Sequence, residues 1–277
     1  MKKKRNVLII TGLILGSLWI ISMIVASVFG FLLNFDSSDN YDNSNGNVAI
    51  IPLHGPIYVG TQSSFGSDGV TSDSFIELLN KADKSSSVKA IIIDINSGGG
   101  SGVAAFEISQ KIQSIEKPVI SVIRDSGASA AYWIATTTDY IFANPISITG
   151  SIGVIGSYLD FSEFIEEHNI TYQRYVSGKY KDMGSAFKKP TNEEQKLLQN
   201  LINKMRDYFI EVVSKNRGLP VNDVKKLAEG QVFLGIDAKE LELIDELGTK
   251  ADALHYIENK YNITASEIVY KESRSIM

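Results

Sequence analysis

The sequence predicts an α/β fold built on a parallel β-sheet with helical crossovers, preceded by one N-terminal transmembrane helix. Two observations predict the sheet: short apolar runs rich in β-branched residues recur along the chain, and stretches with helical spacing separate them. The order strand, helix, strand, helix, strand is typical of parallel sheets. A third observation predicts the membrane helix, because a long uncharged stretch follows a basic N-terminus.

The N-terminal stretch is long enough to cross a membrane. Basic residues occupy Lys2 to Arg5, and no charged side chain follows until Asp36. As a helix rising ~1.5 Å per residue, Val7 to Leu33 reaches ~40 Å, whereas a hydrocarbon core is ~30 Å thick. A cleaved signal peptide is the alternative, but its apolar region would span only ~7–15 residues. Ala26-Ser27-Val28 also matches a cleavage site poorly. The basic end predicts a cytoplasmic N-terminus and an exported remainder.

The chain therefore divides into five predicted segments. The linker is assigned from its polar, turn-forming composition, and the main domain from its alternating apolar patterns. The segments are a cytoplasmic basic tail (1–6), a transmembrane anchor (7–33), a linker (34–47), the main domain (48–250) and a helical or extended C-terminal tail (251–277).

Composition excludes several classes of protein. With 44% apolar and 21% charged residues in 277, the chain can bury a large core. The absence of cysteine excludes a disulfide scaffold, a structural zinc finger and a thiol nucleophile. A net charge of −5 provides no basic face for a polyanion, so no nucleic-acid partner is expected. The sequence also predicts no metal or cofactor site.

Each element of the main domain follows from a local pattern. Val48 to Leu53 is a β-branched run that ends at a His-Gly-Pro turn, which predicts a buried strand. The longest helix, Asn192 to Arg217, is amphipathic, with a start signal at Pro190-Thr191 and a stop signal at Gly218-Leu219-Pro220. The predicted strands are 48–53, 90–95, 118–123 and 171–176, and the predicted helices are 74–82, 103–115, 128–137, 161–168 and 192–217.

A glycine-rich loop, Asn96 to Gly102, follows the second strand and opens a helix. Its glycines allow the backbone N–H groups to turn toward one point. A phosphate cradle is poorly supported, because a dinucleotide motif would require its third glycine at Val103 and no Gly-Lys-Ser/Thr follows. An oxyanion hole and a plain tight turn both remain open.

A candidate nucleophile, Ser129, lies at the next junction of strand and helix. Small side chains flank it, and Gly-x-Ser-x-Ala is one residue short of the Gly-x-Ser-x-Gly nucleophile elbow. The alternative is that Ser126 or Ser129 caps the helix, which contributes ~1 kcal/mol.

Two kinds of general base are possible. The three histidines, His54, His168 and His255, look like surface or boundary residues, and a triad in the order Ser, Asp, His would have to use His255. Lys181 lies in a loop bordered by glycines, and a lysine buried without a counter-charge can lose its proton and act as a base. Asp182 is adjacent, and most loop lysines are solvated, so from the residues alone Lys181 is one candidate among many.

Five ordered motifs resemble the signal peptide peptidase A family, the membrane-anchored Ser-Lys peptidases with a Clp protease and crotonase-like fold of repeated β-β-α and βαβ units. The resemblance covers about residues 48–248. The motifs are Asn96-Ser97-Gly98-Gly99-Gly100, Ala128-Ser129-Ala130-Ala131-Tyr132-Trp133, Thr149-Gly150-Ser151-Ile152-Gly153-Val154, Ser177-Gly178-x-Tyr180-Lys181-Asp182, and Gly230 to Gly235 with Ile244 to Gly248.

The resemblance implies specific roles for four residues. Ser129 would be the nucleophile, Lys181 the general base, Gly99 an oxyanion donor, and Ser151 the hydroxyl that orients the lysine. Gly98 departs from the family, which usually has proline there. The implied protein is a serine endopeptidase without a cofactor.

The resemblance also implies a setting for the enzyme. It would be a single-pass membrane protein with its catalytic domain outside the cytoplasm, degrading remnant signal peptides or similar apolar peptides. Its partners would be the lipid bilayer, the peptide substrates and copies of itself in a ring or dome, with the base within one subunit or across a subunit boundary. The alternatives are a Ser-His-Asp hydrolase and a non-catalytic crotonase-like membrane scaffold.

Overall fold

The computed structural model describes residues 46–60 and 69–271, together with Met23. The predicted basic tail, nearly all of the predicted anchor and nearly all of the predicted linker lie outside these residues. Within the described part of the chain, no helix combines the length and the apolar character needed to cross a bilayer.

The described elements alternate between strands and helices along the chain. The strands are β1 (Val48–His54), β2 (Ile57–Tyr58), β3 (Val70–Thr71), β4 (Ala90–Ser97), β5 (Val119–Ala128), β6 (Tyr140–Ala143), β7 (Ile148–Gly150), β8 (Val232–Leu234), β9 (Glu246–Leu247) and β10 (Glu267–Val269). The helices are α1 (Ser72–Lys84), α2 (Gly102–Gln113), α3 (Ala130–Thr136), α4 (Ser162–Glu167), α5 (Asn192–Arg217), α6 (Val221–Lys226), α7 (Gly235–Glu240) and α8 (Lys250–Tyr261).

One sheet of eight strands organises these elements. Its order is β10-β1-β4-β5-β6-β9, with β7 also pairing with β5, and β8 with β7. Every pairing in this sheet is parallel except that of β7 with β8. The predicted α/β fold with a parallel sheet is confirmed. The segment 251–277, predicted as a tail, contributes most of α8 and all of β10, which pairs with β1 at the sheet edge.

Both faces of the sheet are covered, which explains why its central strands read as continuous apolar runs. Alternate residues of β4 enter different cores: Ile91 and Ile93 pack in the larger cluster with α1, α2 and α3, whereas Ile92 packs in the smaller cluster. Residues Ala253 and Ile257 of α8 complete that smaller cluster. The sheet therefore separates α3 from α8.

Most central elements were predicted correctly from the sequence, but the prediction for one segment was wrong. The helix over 192–217 has the bounds that its start and stop signals predicted. The strand expected over 171–176 is wrong, because these residues form no regular structure and are all exposed. Their β-branched and aromatic composition favours a strand, but a strand needs a neighbour for its backbone hydrogen bonds, and 171–176 pair with no strand in the described chain.

Candidate active site

Ser129 occupies a strained turn between β5 and α3. Its backbone has φ 54° and ψ −125°, a combination that a residue with a side chain adopts at a cost of about 1–3 kcal/mol. The N–H of Ser129 donates to the Gly150 carbonyl at 2.8 Å, and its carbonyl accepts from the Trp133 N–H at 2.9 Å. Two backbone hydrogen bonds and the fully buried helix α3 hold the strained turn in place.

The Ser129 hydroxyl does not cap the helix. Ser129 stands at the N-cap position of α3, but its side chain makes no capping hydrogen bond. The interpretation of Ser129 as a helix cap is therefore wrong. Ser126, the other capping candidate, lies within β5, where its N–H donates to Asn96 Oδ1 at 3.2 Å. Ser129 is half-buried and its hydroxyl is free of the helix backbone, as a nucleophile requires.

A bulge in the sheet directs β5 toward this turn. Ile95 of β4 pairs with Ile123 of β5, but Ser97 pairs with Gly127, so β5 contains extra residues between the two pairs. A bulge of this kind bends the strand and changes the direction in which the following side chains point. The bend precedes Ser129 directly.

Gly99 packs directly against Ser129. Its φ of +105° is in the region that favours glycine, and an added Cβ would lie 2.8 Å from both the Ala128 carbonyl oxygen and the Ser129 Cβ. The Gly99 carbonyl accepts from the Ile57 N–H at 3.0 Å, which ties the loop to the segment after β1. The Gly99 N–H donates to Ser97 Oγ at 3.1 Å. The structure thus brings Gly99 and Ser129 into contact.

Ser151 follows β7, the strand that contacts Ser129 through Gly150. Its φ is 51°, and its N–H donates to the Gln231 carbonyl at 2.8 Å. The neighbouring Thr149 is buried, and its hydroxyl donates to the Gly127 carbonyl at 2.7 Å. Ser151 directly follows Gly150, whose carbonyl accepts a hydrogen bond from the Ser129 N–H.

Lys181 lies apart from these residues, in an exposed turn. Its N–H donates to the Gly178 carbonyl at 3.1 Å. Within the described residues, its side chain makes no hydrogen bond or ion pair, to Ser129 or to any other residue. The fold of one chain brings together Ser129, Gly99 and Ser151 but not Lys181.

None of the three histidines contacts Ser129. His255 is on α8, across the sheet from α3, and its Nδ1 lies 3.5 Å from Glu258 Oε2. His168 Nδ1 lies 2.9 Å from the Phe164 carbonyl oxygen. His54 Nε2 lies 3.1 Å from Asp94 Oδ2. The geometry gives no support to a triad with His255.

His54 belongs to a charged cluster that the sequence did not indicate. Arg124 Nη1 lies 3.1 Å from Asp94 Oδ1, opposite the His54 contact. Burial would raise the pKa of Asp94, but the hydrogen bonds from His54 and Arg124 outweigh it and leave the pKa below its usual value. Because Asp94 alternates with the core isoleucines of β4, only the orientation of that strand could have revealed the cluster.

One cavity in the described part of the chain is distinct from the candidate active site. It has a volume of about 530 Å³ and is lined by His54, Arg124 and Lys250, among others, whereas Ser129, Gly99 and Lys181 do not line it. In the same part of the chain, no three acidic or histidine side chains come close enough together to hold a metal ion.

Comparison with known proteins connects this geometry to peptidases. Residues 111–264 match the model of peptidase family S49, a range that includes Ser129, Ser151 and Lys181. A protein of Methanocaldococcus jannaschii, named as a candidate protease, is 34% identical over 278 residues, which cover 97% of this chain and 86% of that protein.

Two bacterial relatives agree with this match. A protein of Enterococcus faecium, named as a candidate signal peptide peptidase, is 34% identical over 82% of this chain and 68% of its own length. Protease 4 of Haemophilus influenzae is 36% identical over 82% of this chain but only 37% of its own length. The chain is a serine protease that belongs to peptidase family S49, the signal peptide peptidase A family.

Proposed function

We propose that the protein is a membrane-anchored serine endopeptidase in which Ser129 is the nucleophile and Lys181 the general base. The observation that carries the proposal is the strained turn at Ser129, which packs against Gly99 and whose hydroxyl makes no hydrogen bond to the helix backbone. A serine hydroxyl attacks an amide only when a base removes its proton, so the proposal also requires a base nearby.

The mechanism proceeds through an acyl-enzyme. Uncharged Lys181 takes the Ser129 proton as Oγ attacks the peptide carbonyl, and the resulting lysine ammonium gives that proton to the leaving amine. The Ala130 N–H stabilises the oxyanion, since Ala130 follows the nucleophile at the first position of α3. The Gly99 N–H joins it when it exchanges its hydrogen bond to Ser97 Oγ for one to the oxyanion. Ser151 orients the lysine. Water activated by the same amine then releases the acid product.

The ion pairs around Lys181 support its role as the base. Lys179 pairs with Glu193, and Asp182 pairs with Arg174 and Lys188. Lys181 has no such partner in the described residues. A base must accept a proton, and a carboxylate beside a lysine would favour the protonated form.

A second copy of the chain supplies Lys181 to Ser129 in this proposal. The segment 155–181 that leads to Lys181 exposes many large apolar side chains, including Ile155 at 87%, Leu159 at 70% and Tyr175 at 94%. Contiguous exposed apolar surface of this kind is typical of protein interfaces. A homo-oligomeric ring or dome would bury this surface and bring the lysine of one subunit to the serine of its neighbour.

The proposed substrates are apolar peptides such as remnant signal peptides. Val103 and Phe106, on the first turns of α2 after the Gly99 loop, are 58% and 41% exposed and offer apolar surface on the helix that follows this loop. The name of the Enterococcus faecium relative supports the same substrate class. The predicted anchor at 7–33 would hold the enzyme on the bilayer, with its catalytic domain on the extracytoplasmic side.

Hydrolysis of a fluorogenic apolar peptide as a function of pH tests the proposal. Ser129→Ala and Lys181→Ala should each lose at least about 10³-fold in kcat, because neither residue of a dyad works without the other. Lys179→Ala is the matched control, since it removes a nearby lysine that is paired with Glu193, and it should retain activity. If turnover persists in Lys181→Ala and is abolished in His255→Ala, the enzyme is instead a histidine-dependent hydrolase.

A further inference from the structure

Unlike Lys181, the lysines near it in the chain each form an ion pair with a carboxylate. Lys179 pairs with Glu193, Lys188 with Asp182 and Glu194, and Lys189 with Glu163. Lys181 pairs with no carboxylate among the described residues, although Asp182 follows it in the chain. The structure must therefore hold the Asp182 carboxylate elsewhere.

Two cations hold that carboxylate. Arg174 Nη2 donates a hydrogen bond to Asp182 Oδ1 at 2.8 Å. Arg174 Nε lies 2.6 Å from Asp182 Oδ2, and this second contact is an ion pair without a hydrogen bond. Lys188 Nζ lies 3.1 Å from Oδ1. The Asp182 side chain is only 10% exposed, so these contacts are less weakened by water than ordinary surface ion pairs.

A second carboxylate fixes one of the cations. Lys188 Nζ lies 2.5 Å from Glu194 Oε1, and Glu194 belongs to the capping box that begins α5. Hydrogen bonds from Lys188 and from the Thr191 backbone lower the pKa of Glu194 to about 2. The cluster of Arg174, Lys188, Asp182 and Glu194 carries no net charge and is anchored to the first turn of a long helix.

The charge states of the other members agree with this arrangement. Burial would raise the pKa of Asp182, but hydrogen bonds from Lys188 and Arg174 outweigh it, so the pKa lies below its usual value. The Glu194 hydrogen bond raises the pKa of Lys188. At neutral pH the cluster is thus fully ionised. Lys179, on the same turn as Lys181, pairs with Glu193 in the first turn of α5.

We propose that Arg174 and Lys188 are positioning residues that clamp Asp182 and keep its carboxylate away from the Lys181 amine. This inference rests on the proposed function of Lys181 as the base. Without the clamp, Asp182 is free to pair with the amine next to it. An adjacent carboxylate favours the ammonium form, and an ammonium cannot accept the Ser129 proton.

The pH dependence of kcat/KM in the full-length enzyme tests the clamp. The double variant Arg174→Gln, Lys188→Met removes both cations. It should shift the acidic limb of the plot of kcat/KM against pH to higher pH by about 0.5 to 1 pH unit. Activity on that limb then falls about three- to tenfold, while the plateau at high pH stays within about twofold of wild type. Lys189→Met, which breaks an exposed pair with Glu163, is the control and should leave the limb in place.

A variant that reverses the shift of the acidic limb distinguishes the clamp from a purely structural role of Arg174 and Lys188. Adding Asp182→Asn to the double variant removes the released carboxylate and should return the limb to its wild-type position. A loss of activity at all pH values that Asp182→Asn does not reverse overturns the clamp, as does a limb that never moves. If the double variant does not fold, Lys188→Met alone should show a smaller movement with the same reversal, and its absence overturns the clamp equally.

A direct readout distinguishes failure of the clamp from failure of the proposed function. In the Ser129→Ala background, the rate at which acetic anhydride acetylates Lys181, followed by peptide mass mapping, reports the uncharged amine at each pH. Opening the clamp should slow this acetylation about three- to tenfold near neutral pH. An unchanged rate overturns the clamp alone, whereas full peptidase activity in Lys181→Ala overturns the proposed base.

Discussion

Glycine is needed at position 99 because two other groups occupy the space that a side chain would fill. A Cβ there would lie 2.8 Å from Ser129 Cβ and from the Ala128 carbonyl oxygen, at a φ of +105°. Gly98 differs, because an added Cβ would meet nothing within 4 Å. A side chain therefore fits at position 98, where the family usually has proline.

Substitution of these two glycines should separate a catalytic effect from a general effect on the loop. Gly99→Ala should lower kcat by about 10²-fold or more, since it displaces the oxyanion donor or the nucleophile. Gly98→Ala is the matched control and should stay within a few-fold of wild type. Steady-state kinetics on a fluorogenic peptide, with circular dichroism to verify folding, provides the measurement. Equal losses in both variants would contradict the role of Gly99.

The sequence motifs indicated candidate residues for the site, but the contacts that surround these residues could not be predicted from sequence. The motifs gave Ser129, Gly99 and Ser151, and the structure brings these three together. The engagement of Asp182 with Arg174 and Lys188 escaped prediction, because those partners are eight and six residues away in a segment without regular structure. No periodicity relates residues in such a segment.

At the scale of elements, the bounds of a helix could be predicted where the sequence contains residues that cap its ends. Helix α5 has a capping box, in which the Thr191 side chain accepts from the Glu194 N–H and the Glu194 side chain accepts from the Thr191 N–H, and it ends at Gly218 in a left-handed conformation. Residues 171–176 illustrate the opposite case. Their composition favours a strand, yet strand formation depends on a neighbour that local sequence does not specify.

The start of α5 should make stability depend on pH. Hydrogen bonds from Lys188 and the Thr191 backbone lower the pKa of Glu194 from 4.5 to about 2 in the folded protein. A depressed pKa stabilises the fold above pH 4.5, and that contribution is lost as the pH falls toward 2. Glu194→Gln should therefore flatten the fall in unfolding free energy between pH 4.5 and 2, as measured by urea denaturation. Parallel curves for the variant and wild type would contradict this assignment.

At the scale of the whole molecule, the proposed dyad requires two copies of the chain. The strained serine and its glycine partner belong to the packed sheet, whereas Lys181 lies in an exposed turn after a segment rich in exposed apolar side chains. Sequence patterns did not indicate this separation, because local patterns do not specify how far apart two segments lie in the folded chain.

Mixing two inactive variants tests whether the dyad is completed between subunits. Ser129→Ala retains the lysine and Lys181→Ala retains the serine, so a mixed oligomer contains interfaces with both groups. Co-expression of the two, with native mass spectrometry to verify mixed assemblies, should restore a substantial fraction of wild-type activity. Mixed assemblies that remain inactive would place the dyad within one subunit or refute it.

The rate at which a fluorophosphonate phosphonylates Ser129 with loss of fluoride, followed by intact mass as a function of pH, tests the central claim most directly. Phosphonylation requires only the nucleophile and its base, so substrate preference does not enter. Wild type and Lys179→Ala should react at the same rate, faster as the pH rises, while Lys181→Ala should react at least about 10²-fold more slowly at neutral pH. Equal rates in Lys181→Ala and wild type would contradict activation of Ser129 by that lysine.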